Sequence, residues 1–308
     1  MLKLSAADPY REVMRVLISG ANGLIGTALR RALEARGDEV VALTRGEGGV
    51  RWQPRAGRID GPVDGYDAVV NLAGAGIGDH RWTSDYKDEI RDSRVVGTRA
   101  LAEALAVSRK PPKVFVSGSA VGWYGNRGRE ELLDESSSPG DDFLAHVCRD
   151  WEAAATPAWD AGVRTALIRT GVVLSPDGGV LKRLLLPFRL GVGGKISRGN
   201  QYMSWITLGD EVRAILHILD GDLSGPVNLT APHPCTNETF TRMLGEVLHR
   251  PTKLPTPVAA LKLALGGELV ESLMVHGQRV FPKALEADGF DFGAVTIDTA
   301  LRIVLGRS

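Results

Sequence analysis

Cysteine and surplus charge are both scarce in this sequence of 308 residues, and each scarcity excludes a class of protein. Only two cysteines occur, Cys148 and Cys235, far apart and outside any metal-ligand spacing, which argues against a disulfide framework. Lys plus Arg and Asp plus Glu both number 37, so no overall field draws the chain to nucleic acid or to an acidic membrane surface. This balance favours a small-molecule partner.

Long hydrophobic runs are also missing. The first apolar run, Val16 to Ile18, gives way to a glycine-containing segment within a few residues, too early for a signal-peptide core or a membrane span. We therefore expect a cytoplasmic protein that has no membrane partner. Residues 1–13 carry no clear periodicity and are expected to be an N-terminal extension.

Short apolar segments, by contrast, recur along the chain and alternate with amphipathic stretches of helical length. The first unit predicts a strand at 15–19, a helix at about 25–36 and a strand at 40–44. Strands joined by such crossovers run parallel and are covered on both faces, which explains why they are apolar throughout. Further strands are predicted at 68–71, 114–117 and 165–169, and a long helix at 143–161.

After about residue 175 the sequence pattern changes to loops rich in Gly and Pro and then to helical stretches. The predicted fold class is therefore α/β, a doubly wound parallel-sheet Rossmann domain with a smaller, mostly helical C-terminal domain. We assign 14–175 and 201–232 to the Rossmann domain. Residues 176–200 and 233–308 are assigned to the smaller domain, which is expected to bind the substrate.

A glycine pattern follows the first strand and opens the first helix. Glycines let a backbone turn tightly and approach a phosphate at a helix N-terminus without a side chain in the way. A second match, Gly122 to Gly128, is followed by charged residues and no apolar helix, so we interpret it as coincidental. The residues predicted to hold the pyrophosphate of a nicotinamide dinucleotide are Gly20, Asn22, Gly23, Leu24, Ile25 and Gly26.

The end of the second strand indicates which dinucleotide is bound. An acidic residue there would receive the ribose hydroxyls of NAD, but this strand ends in Thr44 and Arg45, and an Arg suits the 2′-phosphate of NADP. NADP is therefore the predicted cofactor, with Thr44 and Arg45 in its site. The alternative is that Arg45 is a solvated loop charge.

Several further motifs carry a family resemblance. Together with the glycine loop, they resemble the extended short-chain dehydrogenase/reductase superfamily and, more narrowly, its atypical NAD-dependent epimerase/dehydratase-like family. The segment from Gly277 to Phe292 is similar to a C-terminal domain of unknown function found in that family. The motifs are Asn71-Leu72-Ala73-Gly74-Ala75, Ser117-Gly118-Ser119, Arg81-Trp82-Thr83, Asp92-Ser93-Arg94, Gly122-Trp123-Tyr124-Gly125, Cys148-Arg149-Asp150-Trp151-Glu152, Arg169-Thr170-Gly171 and Ser204-Trp205-Ile206.

The resemblance implies positions for the cofactor. It places the segment Leu72, Ala73 and Gly74 along the adenosine and ribose, and it places Ser117, Ser119, Arg169 and Gly171 near the nicotinamide. Each of these residues also has a plainer interpretation as part of a turn or a strand end. Members of the superfamily often dimerise through helices that resemble 86–106 and 143–161, so a homodimer is a possible assembly.

The superfamily's catalytic pair is missing. It uses a Tyr whose pKa is lowered by a Lys one helical turn later, yet none of the five tyrosines here is followed four residues on by Lys. Alignment on Trp151 places Leu144 where the Tyr would be and Cys148 where the Lys would be. Arg94 replaces the usual Asn, where it could bind a substrate carboxylate, replace a positive charge or pair with an acid on its own helix.

Ser119 is retained, and Tyr124 on the following loop is the first candidate for a replacement acid or base. Its alternative role is that of a loop tyrosine packed for structure. The predicted function is an NADP-binding oxidoreductase or epimerase of the atypical extended short-chain type that acts on an unknown small molecule. The rival hypothesis is a non-catalytic NADPH-binding redox sensor.

Overall fold

The computed structural model describes residues 12–46, 50–61, 63–128 and 130–307, and the elements below belong to those ranges. The strands are β1 (Arg15–Ser19), β2 (Glu39–Thr44), β3 (Val50–Gln53), β4 (Arg58–Asp60), β5 (Ala68–Asn71), β6 (Val114–Ala120), β7 (Leu132–Leu133), β8 (Arg164–Thr170), β9 (Val172–Leu174), β10 (Tyr202–Met203), β11 (Trp205–Thr207), β12 (Gly225–Leu229), β13 (Cys235–Thr236) and β14 (Arg279–Val280). The helices are α1 (Leu24–Ala35), α2 (Ser84–Ala106), α3 (Phe143–Ala154), α4 (Thr156–Asp160), α5 (Gly179–Arg189), α6 (Leu208–Asp220), α7 (Asn237–Leu248), α8 (Val258–Leu265), α9 (Gly267–Val270), α10 (Lys283–Ala287) and α11 (Ile297–Leu305).

The main sheet has the strand order β12-β8-β6-β5-β1-β2-β3-β4. All its pairings are parallel except that of β4, which runs antiparallel to β3 at one edge. The chain winds outward from β1 in both directions, so the strand order reverses between β1 and β5, where such folds bind ligands. The predicted doubly wound parallel sheet is confirmed, and the antiparallel edge strand is an addition that the sequence did not indicate.

Apolar side chains cover both faces of this sheet because successive residues of a strand point to opposite sides. Val16 and Ile18 of β1 pack with one hydrophobic cluster, which includes residues of α1 and α6. Leu17 between them joins a second cluster with residues of α2 and α4. The result is a three-layer arrangement of helices, sheet and helices.

The long helix predicted at 143–161 is instead two helices, α3 and α4. Pro157 lies in the first turn of α4. A proline there has no N–H to donate to the carbonyl of Ala153, so α3 ends and a new helix begins.

The C-terminal part is smaller and mostly helical, as predicted. Helices α5, α7 and α11 share a separate hydrophobic cluster, in which Leu185, Phe240 and Leu301 are buried. This part is joined to the rest through β13, which pairs with β10, and through β14, which pairs with β7. The domain boundaries given above stay a prediction. No helix in the described ranges is both long and apolar enough to cross a membrane.

Candidate cofactor and catalytic site

The glycine loop between β1 and α1 is pressed against its surroundings at two points. Gly20 has a φ of +69°, and a Cβ on it would lie 2.8 Å from the backbone of Leu72. A Cβ on Gly26 would lie 2.2 Å from the carbonyl oxygen of Gly20. Both contacts require glycine, because a side chain at either position would force backbone apart.

Helix α1 starts from this loop with its first turn uncapped. Gly23 is the N-cap residue, and no described side chain caps the helix or places an acidic group in its first turn. The first backbone N–H groups of a helix have no partner within the helix, and its N-terminus carries a partial positive charge. The loop is therefore built to receive an anion such as a pyrophosphate.

The segment after β5 lies beside the glycine loop and is fixed there by hydrogen bonds. The hydroxyl of Ser19 donates to the side chain of Asn71 and accepts from the N–H groups of Leu72, at 3.1 Å, and Ala73, at 3.3 Å. Ser19 and Asn71 are paired in the parallel register of β1 and β5. Leu72, Ala73 and Gly74 therefore occupy the switch point of the sheet together with Gly20.

Thr44 and Arg45 follow on the neighbouring strand. Leu43 pairs with Ser19, so the end of β2 lies at the same edge of the sheet as the glycine loop. Arg45 is exposed, and within the described residues its guanidinium forms no ion pair. The Thr44 hydroxyl accepts from the N–H of Gly46, at 3.1 Å. Both residues are thus available beside the predicted cofactor path.

The positions of the superfamily's catalytic residues also come together. Leu144 and Cys148 lie one turn apart on α3, and a Cβ on Gly122 would be 3.4 Å from each of them. Burial raises the pKa of the Cys148 thiol to about 12. Leu144 has no proton to exchange, so neither side chain can act as an acid or base near neutral pH.

Ser119 and Tyr124 are instead connected through buried charged residues. The hydroxyl of Ser119 donates to Glu152 at 2.7 Å, and Glu152 holds the guanidinium of Arg169 through two bonds of 2.8 and 3.0 Å. Arg169 donates to the hydroxyl of Tyr124 at 3.1 Å, and that hydroxyl donates to Asn228 at 2.7 Å. We call this chain the α3-face network.

Burial raises the pKa of Tyr124 to about 12, although the nearby charge of Arg169 acts to lower it. The phenol therefore keeps its proton at neutral pH. Its side chain is fully buried, and both its donor and an acceptor position are used within the network. Arg169 is fixed equally firmly, since its guanidinium also lies 4.0 Å from the ring centre of Trp123.

Sequence reasoning missed Glu152 and Asn228 as members of this network. One signal was present: Arg169 directly follows the apolar run Ala166 to Ile168 of a buried strand, and a charge in such a place needs a partner of opposite sign. Nothing in the sequence indicates that the partner lies on α3.

Two further predicted residues lie in the middle of β6 and directly after β8. The hydroxyl of Ser117 is buried and has no hydrogen-bond partner in the described structure. Gly171 allows a close approach, because a Cβ there would lie 2.6 Å from the carbonyl oxygen of Ser204. The described residues contain no group of three or more His, Cys, Asp or Glu that could hold a metal ion.

Arg94 lies on α2 beside the segment that follows β5. It donates to the carbonyl oxygens of Ile90 and Ala75, both at 2.9 Å. Among the described residues it forms no ion pair with an acid of its own helix, one of the alternatives given above; Glu89 binds Arg55 and Asp92 binds Arg91.

A parallel sheet with a glycine loop at its switch point is typical of the class of dinucleotide-binding Rossmann folds. The sequence profile of the NAD dependent epimerase/dehydratase family matches residues 16–229, and a domain of unknown function, DUF1731, matches residues 256–304. The chain belongs to this epimerase/dehydratase family, and the resemblance noted in the sequence is confirmed.

Individual relatives cover nearly the whole chain. The "Epimerase family protein ML0860" of Mycobacterium leprae is 44% identical over 95% of this chain and 96% of its own length. The solved structure of human epimerase family protein SDR39U1 (isoform 2), crystallised with NADPH, has a TM-score of 0.88 at 35% identity and covers 96% of this chain and 100% of that one. A nucleoside-diphosphate sugar epimerase from Corynebacterium glutamicum has a TM-score of 0.78 at 38% identity, with 96% of this chain matching 59% of that longer one.

Proposed function

We propose that this protein binds NADPH at the switch point of its main sheet and uses it as an oxidoreductase or epimerase on a small molecule. The observation that carries the proposal is the glycine loop, whose two close backbone contacts and uncapped helix leave room and N–H donors for a pyrophosphate. The NADPH in the human SDR39U1 structure supports the choice of cofactor.

Several of the predicted residues receive a role on this basis. Gly20, Gly23 and Gly26, with the first turn of α1, would hold the pyrophosphate, and Arg45 would bind the 2′-phosphate as a guanidinium that has no carboxylate partner in the described structure. Leu72, Ala73 and Gly74 would line the adenosine and ribose. Bound NADPH would supply a hydride for transfer to a carbonyl carbon.

The proton must then come from groups other than the usual Tyr and Lys. We assign Ser119 to orient the substrate oxygen and Tyr124 to donate the proton. The pKa of about 12 allows Tyr124 to act only as a donor at neutral pH, and the bond from its hydroxyl to Asn228 must break before the proton can leave. Glu152 and Arg169 position both hydroxyls through the α3-face network.

One observation favours a second candidate function, a non-catalytic NADPH sensor. Leu144 and Cys148 provide no group that titrates near neutrality at the two positions where the superfamily exchanges protons. In that function NADPH would bind but no hydride would move.

Two measurements test these proposals. The dissociation constants of NADPH and NADH should favour NADPH, and Arg45→Ser should remove most of that preference, with a loss on the order of tenfold for NADPH alone because one charge-assisted contact is lost. Arg31→Ser, an exposed arginine on α1, is the control. Equal binding of both dinucleotides by the unmodified chain would contradict the assignment of NADP.

The enzyme and the sensor differ in turnover. Oxidation of NADPH, or isotope exchange at its reactive carbon, across a panel of carbonyl compounds and nucleotide sugars is expected for the enzyme. Tight binding of NADPH without turnover or exchange on any of them would favour the sensor.

A further inference from the structure

Arg94 is a half-buried guanidinium with little compensation for its charge. Two of its five N–H groups are used, in bonds to the carbonyl oxygens of Ile90 and Ala75. Among the described residues no carboxylate lies within ion-pair distance of it. Burial lowers the pKa of Arg94 from its usual value because the charged form has lost water.

Arg169 differs from Arg94, because the charge of Arg169 is compensated by a carboxylate. Both guanidinium groups lie near a tryptophan ring, Arg169 at 4.0 Å from Trp123 and Arg94 at 5.2 Å from Trp151. Arg169, however, is held by two bonds to Glu152, whereas Arg94 bonds only to neutral carbonyl oxygens. Three N–H groups of Arg94 are left for an acceptor that the described chain does not provide.

The position of Arg94 relates it to the reaction site. A Cβ on Gly74 would lie 3.0 Å from the central carbon of its guanidinium, so the group lies against the segment assigned to the cofactor. Trp151, on its other side, packs against Gly118, where a Cβ would be 2.6 Å from the ring. The charge of Arg94 also acts on the thiol of Cys148, the residue at the superfamily's lysine position. Arg94 therefore lies beside the segment that follows β5, with the Trp151 ring between it and β6.

We propose that Arg94 binds an oxyanion of the substrate, a carboxylate next to the carbonyl or carbinol carbon that takes part in hydride transfer. The planar fork of a guanidinium matches a carboxylate with two parallel hydrogen bonds, and the unused N–H groups leave that geometry open. This inference rests on the proposed function and adds to it a substrate class, the oxo or hydroxy acids.

A purely structural role would be to fix the loop at Ala75 through its carbonyl oxygen. That role requires a hydrogen-bond donor but no charge, so Arg94→Gln would preserve it in part. Loss of the hydrogen bond would lower thermal stability whether or not a charged ligand is present. An anion-binding role makes the charge itself decisive. The variant Arg94→Lys keeps the charge but loses the planar fork, so its affinity for an anion should lie between those of the unmodified chain and Arg94→Gln.

The test is calorimetric titration of the full chain, saturated with NADP⁺, with oxalate as the probe. We expect binding to the unmodified chain, and a loss of about tenfold or more in Arg94→Gln. The affinity for NADP⁺ should stay within about twofold of the unmodified value. Arg91→Gln, an exposed arginine on the same helix, should bind oxalate as the unmodified chain does. If the protein turns over 2-oxo acids, Arg94→Gln should lower kcat/KM for them by at least the same factor and should leave kcat/KM for their amides unchanged.

Other results would overturn the proposal. Equal oxalate binding by the unmodified chain and Arg94→Gln, or none by either, would show that Arg94 takes no small carboxylate. A loss of NADP⁺ affinity with unchanged oxalate binding would identify the anion as a cofactor phosphate. If the unmodified chain fails to bind NADP⁺, the proposed function fails, and titration of the free chain with oxalate still tests Arg94 by itself.

Discussion

Two buried carboxyl groups lie on opposite faces of β8, and they are stabilised in opposite ways. Glu152 meets Arg169 on the α3 face and forms a two-bond ion pair with it. Glu211, on the α6 face, accepts one bond from the hydroxyl of the next strand residue, Thr170, at 2.8 Å, and its other oxygen has no partner in the described structure. Burial raises the pKa of Glu211 to about 8.

The difference shows what each face contributes. The α3 face holds charge, because opposite charges there compensate one another, and it is the face on which the candidate catalytic residues lie. The α6 face holds a carboxyl group that is neutral at neutral pH, as expected because none of the described cationic groups forms an ion pair with it. A site that handles a charged substrate is therefore better supported on the α3 face.

The largest effect that tests this comparison is expected from Glu152→Ala. It would leave the guanidinium of Arg169 buried without its carboxylate, which should lower the free energy of unfolding by about 3–5 kcal/mol. Urea denaturation measures it, with Glu246→Ala as the control, because its exposed pair with Arg242 is worth only about 0.5 kcal/mol. Similar losses in both variants would show that the α3-face network is not specially dependent on its ion pair.

A second effect, which depends on pH, is expected from Glu211. The folded chain keeps its proton up to about pH 8, whereas the unfolded chain releases it near 4.5. Between those values the unfolded state binds fewer protons, so this group makes stability fall by about 1.4 kcal/mol for each pH unit of rise. Its contribution is fully present below pH 4.5 and is lost as the pH rises through 8.

Urea denaturation of Glu211→Gln from pH 4.5 to 8 checks this effect, since glutamine cannot titrate. Stability of the variant should depend less steeply on pH than that of the unmodified chain. Identical slopes would mean that Glu211 is ionised in the fold and that the two faces of β8 do not differ as described.

The smallest effect is expected from Tyr124→Phe. Loss of the hydroxyl leaves an N–H of Arg169 and the amide oxygen of Asn228 without a partner, at a cost of about 1–3 kcal/mol. A fall in kcat that is much larger than the loss in NADPH affinity, in a variant that still folds, would support Tyr124 as the proton donor. Unchanged turnover with NADPH bound would remove it from the mechanism and leave it as a structural member of the network.

Local signals in the sequence were enough to predict most of the fold. The apolar strands, the glycine loop and the helical C-terminal part each follow from neighbouring residues, as does the family. Edge strand β4 and the break at Pro157 were not predicted. The pattern of apolar residues alone does not distinguish a short antiparallel edge strand from a loop, and it does not distinguish one long helix from two consecutive ones.

Much less of the candidate site could be predicted. The partners of Ser119, Arg169 and Tyr124 lie 33, 17 and 104 residues away along the chain, and only the crossovers of the fold bring them together. The choice among the alternative roles of Arg94 likewise required the structure, which shows that the two acids named for it on the same helix, Glu89 and Asp92, bind other arginines. The roles of the predicted cofactor and catalytic residues stay predictions.

The pairing of β14 with β7 has a consequence for how the molecule is made. Asn228, which receives the hydroxyl of Tyr124, itself donates to the carbonyl oxygen of Phe281 at 2.9 Å, and Gln278 donates to the carbonyl oxygen of Gly125 at 2.9 Å. The candidate catalytic loop is thus completed by a segment that is synthesised 153 residues after Gly125. The Rossmann core can begin to form during synthesis, but a nascent chain stopped before residue 278 would carry an incomplete site.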